Sequence, residues 1–133
     1  MGTLIDASVL IAWERNQVTL EHRLADSADE DFGISAITAS ELLHGVHRAS
    51  TPAQRRRREA FVEGLLSRIP VIAFDAVVAR IHARMAAELA AQDTAVGPHD
   101  LIIAATAIAK GYAVVTRDER SFPKISGLNL LRW

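Results

Sequence analysis

The apolar residues of the chain follow two alternating patterns, short continuous runs and longer segments in which apolar positions recur every three or four residues. Short runs predict buried strands, and the wider spacing predicts amphipathic helices. Strands are predicted at residues 3–6, 32–35, 70–74, 113–116 and 128–131. Helices are predicted between them, at residues 8–15, 19–28, 37–48, 52–69 and 99–110, with a further helix after Asp75.

Several residues mark the predicted helix ends. Thr51 precedes Pro52. A threonine can accept hydrogen bonds from the free N–H groups of a first turn, and a proline at the first helical position has no N–H to leave unpaired. Asp75 is predicted to cap the next helix, and Gly111 is predicted to close the last one as its C-terminal cap.

The order of these elements predicts an α/β fold. Strands alternate with helices, and the strands are apolar on both faces. A mostly parallel sheet that is covered by helices has this signature. No repeat, low-complexity tract or Gly/Ser linker divides the chain, so we expect one α/β/α domain, residues 1–133, with a short parallel sheet. The pattern leaves the strand order open.

Composition narrows the chemistry. The chain has no cysteine, which excludes disulfides, thiolate zinc sites and cysteine nucleophiles. No apolar run has the length of a membrane span, and the first residues lack the features of a signal peptide, so we expect a cytoplasmic protein. The formal net charge is −1, so a nucleic acid would have to be held by a local basic patch or through a bound metal.

Acidic residues stand at the ends of predicted strands and the starts of the helices that follow: Asp6, Glu41, Asp100 and Asp118. Sites in open α/β sheets form at this carboxyl edge. Each acid also has an ordinary interpretation. Asp6 can cap the first helix, and Glu41 can be a solvated helix residue. Asp100 can be a favourable charge at a helix N-terminus, and Asp118 can form a turn. Core residues flank Asp6 and Asp100, however, and carboxylates in such surroundings are rarely left without a partner.

Carboxylates gathered at one edge need a counter-charge. Two of them about 4 Å apart repel by about 4 kcal/mol at an effective dielectric of 20. No lysine or arginine stands out in the sequence as an internal partner. Mg²⁺ or Mn²⁺ would fit, because both prefer oxygen ligands, and such an ion can bind a phosphate oxygen and activate a water for attack.

Motifs around these acids occur in a specific order and spacing: Leu4-Ile5-Asp6-Ala7-Ser8, Glu41-Leu42-Leu43-His44-Gly45, Gly97-Pro98-His99-Asp100-Leu101-Ile102-Ile103-Ala104-Ala105, Val115-Thr116-Arg117-Asp118, Phe122 and Ile125-Ser126-Gly127-Leu128. With these motifs the chain resembles the PIN-domain ribonucleases over essentially its whole length, in particular the VapC toxins of bacterial toxin–antitoxin pairs. The resemblance implies a PIN-like three-layer fold.

The resemblance also implies roles for individual residues. It implies that Asp6, Glu41, Asp100 and Asp118 hold Mg²⁺ or Mn²⁺, and that Thr116 and Ser8 support these ligands by hydrogen bonds. It further implies an endoribonuclease that forms a homodimer and pairs with a small antitoxin. Many relatives carry one more acid just before the aromatic residue, where this chain has Ser121-Phe122, which leaves the number of bound metals open.

Two other groups of residues allow different interpretations. Four consecutive arginines at 55–58, with Arg48 nearby, form the strongest basic cluster, which we interpret first as a solvated face and second as a contact for RNA or the antitoxin. Histidines could support metal-independent RNA cleavage: His22, His47, His82 and, beside an acid, His99. His44 forms a lone Glu-x-x-His pair with Glu41, whereas di-iron bundles need two such pairs.

The leading hypothesis from the sequence is a metal-dependent endoribonuclease toxin that cuts RNA to inhibit translation and leaves a 5′-phosphate. One alternative is a PIN-type nuclease for RNA processing or DNA flaps, although the short chain without insertions argues against a large structured substrate. The other is a PIN-fold binding module without catalysis, which the presence of all four acids argues against.

Overall fold

The computed structural model describes residues 2–26 and 31–133. Within these residues, strands and helices alternate as the sequence predicts. The strands are β1 (Thr3–Ile5), β2 (Phe32–Ser35), β3 (Val71–Ile72), β4 (Ala113–Val115) and β5 (Leu130–Leu131). The helices are α1 (Ala7–Glu14), α2 (Glu21–Asp26), α3 (Ala36–His47), α4 (Pro52–Arg68), α5 (Ala76–Ala91) and α6 (Pro98–Lys110), with a 3₁₀ helix at Phe122–Lys124.

Most predicted boundaries agree with the structure to within two residues. β1 and β4 end one residue earlier than predicted, and two other strands are shorter by two residues or more. β3 and β5 have two residues each, where residues 70–74 and 128–131 were expected. Both lie at edges of the sheet, where a strand has only one neighbour to extend its pairing. The predicted end of the second helix, at Ala28, lies outside the described residues. The 3₁₀ helix was not predicted.

The sheet is parallel throughout its described pairings, in the order β3-β2-β1-β4-β5. β1 is central and pairs with β2 on one side and β4 on the other. The chain builds outward from β1 through β2 to β3 and then returns to the other side of β1 as β4. In a doubly wound sheet, the crevice at this change of direction, beyond the carboxyl ends of the strands, is where ligands bind.

Helices cover both faces of the sheet and form two core clusters. Ile5 and Val115 belong to the cluster with residues of α1, α3 and α4, whereas their neighbours Leu4 and Val114 belong to the cluster with α5 and α6. Successive strand residues point to opposite faces, so the short strands supply both cores. The predicted three-layer α/β/α fold with a parallel sheet is confirmed.

The predicted helix caps are confirmed as well. Thr51 Oγ1 accepts a hydrogen bond from the N–H of Gln54 at 3.1 Å. Asp75 Oδ1 accepts one from the N–H of Val78 at 3.0 Å. Gly111 ends α6 in the left-handed conformation, with φ of 68°. Among the helices of the described residues, none combines the length and the apolar character that crossing a membrane requires.

Candidate active site

The acids predicted from the sequence lie around the carboxyl ends of β1 and β4. Asp6 directly follows β1, and Asp118 follows β4 after a short turn. Glu41 belongs to α3, which begins where β2 ends, and Asp100 lies in the first turn of α6. The change of direction between β1 and β4 therefore brings together residues that are far apart in sequence.

Asp6 is buried, with 5% of its surface exposed, and its carboxylate is held by two hydroxyl groups. Ser8 Oγ donates to Asp6 Oδ2 at 2.7 Å, and Thr116 Oγ1 donates to the same oxygen at 2.8 Å. Asp6 occupies the N-cap position of α1, but its side chain makes no capping hydrogen bond. The ordinary interpretation of Asp6 as a helix cap therefore does not explain its side chain.

The same hydroxyl groups fix the loop after β4. Ser8 Oγ accepts a hydrogen bond from the N–H of Arg117 at 3.0 Å. Thr116 Oγ1 accepts one from the N–H of Asp118 at 2.9 Å. Ser8 and Thr116 thus connect the buried carboxylate after β1 with the backbone that carries Asp118, and they set the relative position of the two acids.

Glu41 is half-buried and pairs with a histidine on α6. Its Oε1 lies 2.8 Å from Nδ1 of His99, whose side chain is 55% exposed. Burial raises the pKa of Glu41, the hydrogen bond and charge of His99 lower it, and the charges of Asp6 and Asp100 raise it further, so that its pKa lies above the ordinary value. The carboxylate is therefore within the electric field of two other acids.

Asp100 lies in the same field. Burial raises its pKa above the ordinary value, and the negative charges of Asp6 and Asp118 raise it further, against a hydrogen bond to Ser121 and the charge of His99. Ser121 Oγ also accepts a hydrogen bond from the N–H of Gly97 at 3.1 Å. A Cβ atom at Gly97 would lie 3.1 Å from Asp100 Oδ2, so glycine leaves room for this carboxylate.

Asp118 pairs with a nearby arginine, Arg120, which the sequence had not singled out and whose side chain is 89% exposed. Arg120 Nε lies 3.2 Å from Asp118 Oδ1, and the N–H of Arg120 donates to the same oxygen at 3.0 Å. These hydrogen bonds lower the pKa of Asp118. The backbone hydrogen bond makes Asp118 a turn former, as its ordinary interpretation predicted. Arg120 could have been found from the sequence, because it follows Asp118 by two residues.

The carboxylate groups of these four acids are of the chemical kind that a hard divalent cation prefers. The pKa of Glu41 and that of Asp100 are raised chiefly by burial and further by nearby acids, Asp6 among them, so these carboxylates lie close enough to repel one another. Across residues 2–26 and 31–133, no group of three or more His, Cys, Asp or Glu side chains is arranged so that it could hold a metal ion as it stands, so the fit rests on the chemistry of the carboxylates. Mg²⁺ prefers oxygen ligands, keeps several waters and binds through one or two carboxylates, so the acids at this edge of the sheet suit it by their chemistry.

A groove of about 670 Å³ lies beside Glu41, whereas Asp6, Asp100 and Asp118 are not among the residues that line it. Glu41 and His99 line one part of it, and residues of α1, α3 and α4 form its walls. Arginines that line the groove are Arg15, Arg48 and Arg58. Arg48 and Arg58 belong to the basic cluster visible in the sequence, whereas only the fold brings Arg15 to the same groove.

Comparison with known proteins gives consistent results. The PIN domain profile matches residues 3–128. The chain is 36% identical over 131 residues to ribonuclease VapC1 of Rickettsia felis, which covers 98% of this chain and 96% of that protein. It is 38% identical over 130 residues to the tRNA(fMet)-specific endonuclease VapC of Shigella flexneri, with the same coverage.

The fold also has a counterpart among solved structures. It aligns with a chain of the DNA-bound VapBC structure from Salmonella typhimurium with a TM-score of 0.90 and 31% sequence identity. The alignment covers all of this chain and 98% of the other. Sequence and structure comparisons therefore point to the same group of proteins.

Proposed function

The chain belongs to the PIN-domain family, and from this membership we propose that it is a metal-dependent endoribonuclease, the toxin of a type II toxin–antitoxin pair. It cuts RNA in the cytoplasm and thereby inhibits translation. The relatives named as VapC ribonucleases support the activity. The observation that carries the proposal is the buried carboxylate of Asp6, fixed by Ser8 and Thr116 at the switch point of the sheet, within the field of Glu41 and Asp100.

Asp6, Glu41, Asp100 and Asp118 are the residues that would hold Mg²⁺ or Mn²⁺. When bound, such an ion supplies Lewis-acid polarisation of a phosphate oxygen and makes water more acidic. Ser8 and Thr116 both donate to Oδ2 of Asp6, which fixes the plane of this carboxylate and leaves Oδ1 for an ion. They therefore act as positioning residues rather than as ligands.

Glu41 and Asp100 have different neighbours from those of Asp6. His99 orients Glu41 through a hydrogen bond of 2.8 Å, and Ser121 lies close enough to Asp100 to lower its pKa. Ser121 occupies the position where many family members carry a further acid. The hydroxyl adds no charge to the site, which supports the binding of one ion more than of two.

The test is a cleavage assay with total bacterial RNA, with Mn²⁺ or Mg²⁺ and again with EDTA, followed by mapping of new 5′-phosphate ends. tRNA(fMet) is the first substrate to examine, because the Shigella flexneri relative is named tRNA(fMet)-specific. We expect ends at a few sites that disappear with EDTA. Asp6→Asn should reduce cleavage by at least about a hundredfold while the circular dichroism spectrum stays unchanged, since it removes charge from the ligand without changing its shape.

Asp93→Asn is the matched control, because Asp93 is an exposed aspartate outside the site and should keep full activity. Cleavage by a folded Asp6→Asn protein would contradict the site. Cleavage that survives EDTA would favour the histidine mechanism. A folded wild-type protein that cuts DNA flaps but no cellular RNA would favour the alternative nuclease, and a protein that cuts neither would favour a binding module.

The partners follow from the same membership. A small antitoxin is proposed because the DNA-bound complex from Salmonella typhimurium is a VapBC structure. Its gene is expected next to that of this chain, and the two products should co-purify after joint expression. We also propose a homodimer, which an exposed apolar patch supports. The patch consists of Val71, Phe74 and Val77, whose residues are 44–58% exposed.

A further inference from the structure

Arg120 is the one lysine or arginine that forms a salt bridge with any of the four acids, in the part of the chain that the structure describes. Its Nε donates to Asp118 Oδ1 at 3.2 Å, and its Nη2 donates to Asp118 Oδ2 at 3.4 Å. The guanidinium group therefore faces the carboxylate with two of its nitrogens. Its side chain is nevertheless almost fully exposed, so a substrate can reach it.

A short turn holds Arg120 next to the site. Thr116 Oγ1 accepts a hydrogen bond from the N–H of Asp118 at 2.9 Å, and Asp118 Oδ1 accepts one from the N–H of Arg120 at 3.0 Å. Thr116 is buried and also donates to Asp6. Because these bonds use backbone N–H groups of the turn, a change of the Arg120 side chain should leave the turn and Asp118 in place.

The charge of Arg120 interacts with more than one acid. Hydrogen bonding to Asp118 and the charge of Asp118 raise the pKa of Arg120, and the charge of Asp100 raises it further. The pKa of Asp100 is itself raised by burial and by the charges of Asp6 and Asp118. Arg120 therefore lies close enough to the acids to act on a group that binds between them.

Asp118 has little capacity left for a further partner. A carboxylate offers about four acceptor positions, and Arg120 fills three of them with its backbone N–H, its Nε and its Nη2. A divalent cation at this carboxylate would also meet the guanidinium charge at short range, and like charges repel. Arg120 and such a cation therefore compete for Asp118.

Phosphate is the partner that suits a guanidinium group displaced from Asp118. The N–H donors of an arginine form a planar fork that matches two oxygens of a phosphate as well as two oxygens of a carboxylate. A ribonuclease brings a backbone phosphate to its acids, and cationic side chains stabilise the charge that develops on a phosphoryl group under attack. Arg120 stands where it could make this contact without a movement of the backbone.

We propose that Arg120 exchanges Asp118 for a phosphate oxygen of the RNA when a divalent cation binds to the acids. The proposal rests on the proposed ribonuclease function for its substrate class. It assigns two opposite effects to one side chain, a weaker affinity for the cation and a stronger affinity for RNA. A side chain that only maintained the structure of the turn would strengthen both.

Binding of Mn²⁺ to the RNA-free protein, measured by isothermal titration calorimetry, tests the competition. Arg120→Gln removes the charge and should tighten Mn²⁺ binding about two- to fivefold, as expected for the loss of one exposed ion pair. Arg117→Gln is the matched control, because Arg117 is an exposed arginine just before Asp118, and none of the salt bridges in the described residues involves it. Its affinity for Mn²⁺ should stay close to that of the wild type.

Binding of a fluorescein-labelled single-stranded 12-nucleotide RNA, measured by anisotropy, tests the phosphate contact. Ca²⁺ replaces Mn²⁺ because it also takes oxygen ligands, and a denaturing gel verifies that the RNA stays intact. With Ca²⁺, Arg120→Gln should weaken RNA binding about two- to tenfold, the range for one hydrogen-bonded contact. The effect should be smaller with EDTA, because Asp118 then retains the guanidinium group. Arg120→Lys keeps the charge but loses the fork, so its affinity should lie between those of the other two proteins.

Three results would overturn the proposal. The first is equal behaviour of Arg120→Gln and Arg117→Gln in both experiments. The second is weaker binding of both Mn²⁺ and RNA by Arg120→Gln, which would show a purely structural role. The third is tighter Mn²⁺ binding with unchanged RNA binding, which would make Arg120 a counter-ion of Asp118 alone.

Failure of the proposed function would be distinguishable from failure of this inference. Cleavage of total RNA by the wild-type protein with Mn²⁺ reports on the function, whereas the two binding experiments report on Arg120. Wild-type cleavage without the expected effects of Arg120→Gln would reject the role of Arg120 alone. Both expected effects without wild-type cleavage would reject the ribonuclease and retain Arg120 as a residue that binds phosphate.

Discussion

Asp6 shows how the chain tolerates a buried negative charge at the scale of a single residue. Removing a carboxylate from water without compensation costs several kcal/mol. The two hydroxyl groups on Oδ2 offset part of this cost, since hydrogen bonds to charged groups contribute about 1.5–3 kcal/mol each. The pKa of Glu41 and that of Asp100 are raised chiefly by burial and further by repulsion from neighbouring acids, Asp6 included. The site is therefore under electrostatic stress that a cation would relieve.

The dependence of stability on pH tests the electrostatic repulsion and burial of Glu41 directly. Its folded-state pKa is raised, chiefly by burial, so the folded chain binds more protons than the unfolded chain between the ordinary glutamate pKa and the raised value. Stability should fall as pH rises from about 4.3 through this interval and then level off. Glu41→Gln removes the charge and can still accept a hydrogen bond from His99. It should therefore raise the melting temperature at pH 7.5, with the gain disappearing near pH 4.

Differential scanning fluorimetry without metal, across pH 4 to 8, provides the measurement. Glu59→Gln is the control, because Glu59 is an exposed glutamate of α4 and its substitution should give no pH-dependent gain. A Glu41→Gln protein that is less stable than wild type at pH 7.5 would show that the pairing with His99 outweighs burial and repulsion. Added Mn²⁺ should stabilise the wild type more than the variant, because only the wild type carries this carboxylate.

The acids themselves could be predicted from the sequence, because strand ends and helix starts are visible in the hydrophobic pattern. Their partners were harder to predict. His99 reaches Glu41 across 58 positions in sequence, so the pair depends on how α3 and α6 are placed by the sheet. The strand order that places them was left open by the sequence. Arg120 was missed for a different reason, since its link to Asp118 is local and could have been inferred from turn chemistry.

At the scale of elements, α3 begins directly after β2 and carries Glu41, so the end of this strand fixes where Glu41 lies. Ser35 is the last residue of β2 and also the N-cap of α3. Its Oγ accepts a hydrogen bond from the N–H of Thr38 and donates to Thr38 Oγ1, both at 3.2 Å, in a fully buried environment. One side chain therefore joins the strand to the helix that carries Glu41.

Ser35→Ala should destabilise the protein by about 1–2 kcal/mol, because it removes the cap and leaves the N–H and hydroxyl of Thr38 without their partner. Urea unfolding followed by circular dichroism gives the free energy of unfolding. Ser67→Ala, at an exposed position of α4, should change it by no more than about 0.5 kcal/mol. Equal effects of the two substitutions would contradict the role of Ser35.

Element boundaries depended on signals of different strength. The caps at Thr51, Asp75 and Gly111 were predictable, because each rests on the chemistry of one residue and its immediate neighbours. The lengths of β3 and β5 were not, since hydrogen bonding to a neighbouring strand decides where an edge strand ends. Ser35 illustrates the same limit, because the sequence shows a serine after an apolar strand but not its burial.

At the scale of the whole molecule, the two edges of the sheet differ in what they expose. The edge at β3 continues into the apolar patch of Val71, Phe74 and Val77, three large residues within a short stretch of chain. The opposite edge at β5 exposes Leu130 and Leu131. Exposed apolar residues can mark interaction sites, and the β3 edge, with three such residues against two at β5, is our candidate for the homodimer interface.

Val77→Asp should convert the homodimer to a monomer, because it places a charge in an interface whose core must be desolvated. Multi-angle light scattering after size-exclusion chromatography should give twice the chain mass for the wild type and the single chain mass for the variant. Leu131→Asp makes the same change at the opposite edge and should leave the dimer intact. Dissociation by Leu131→Asp but not by Val77→Asp would move the interface to β5. A wild-type monomer at micromolar concentration would reject the homodimer, and the acids, which all lie on one chain, would then have to support cleavage without a second copy.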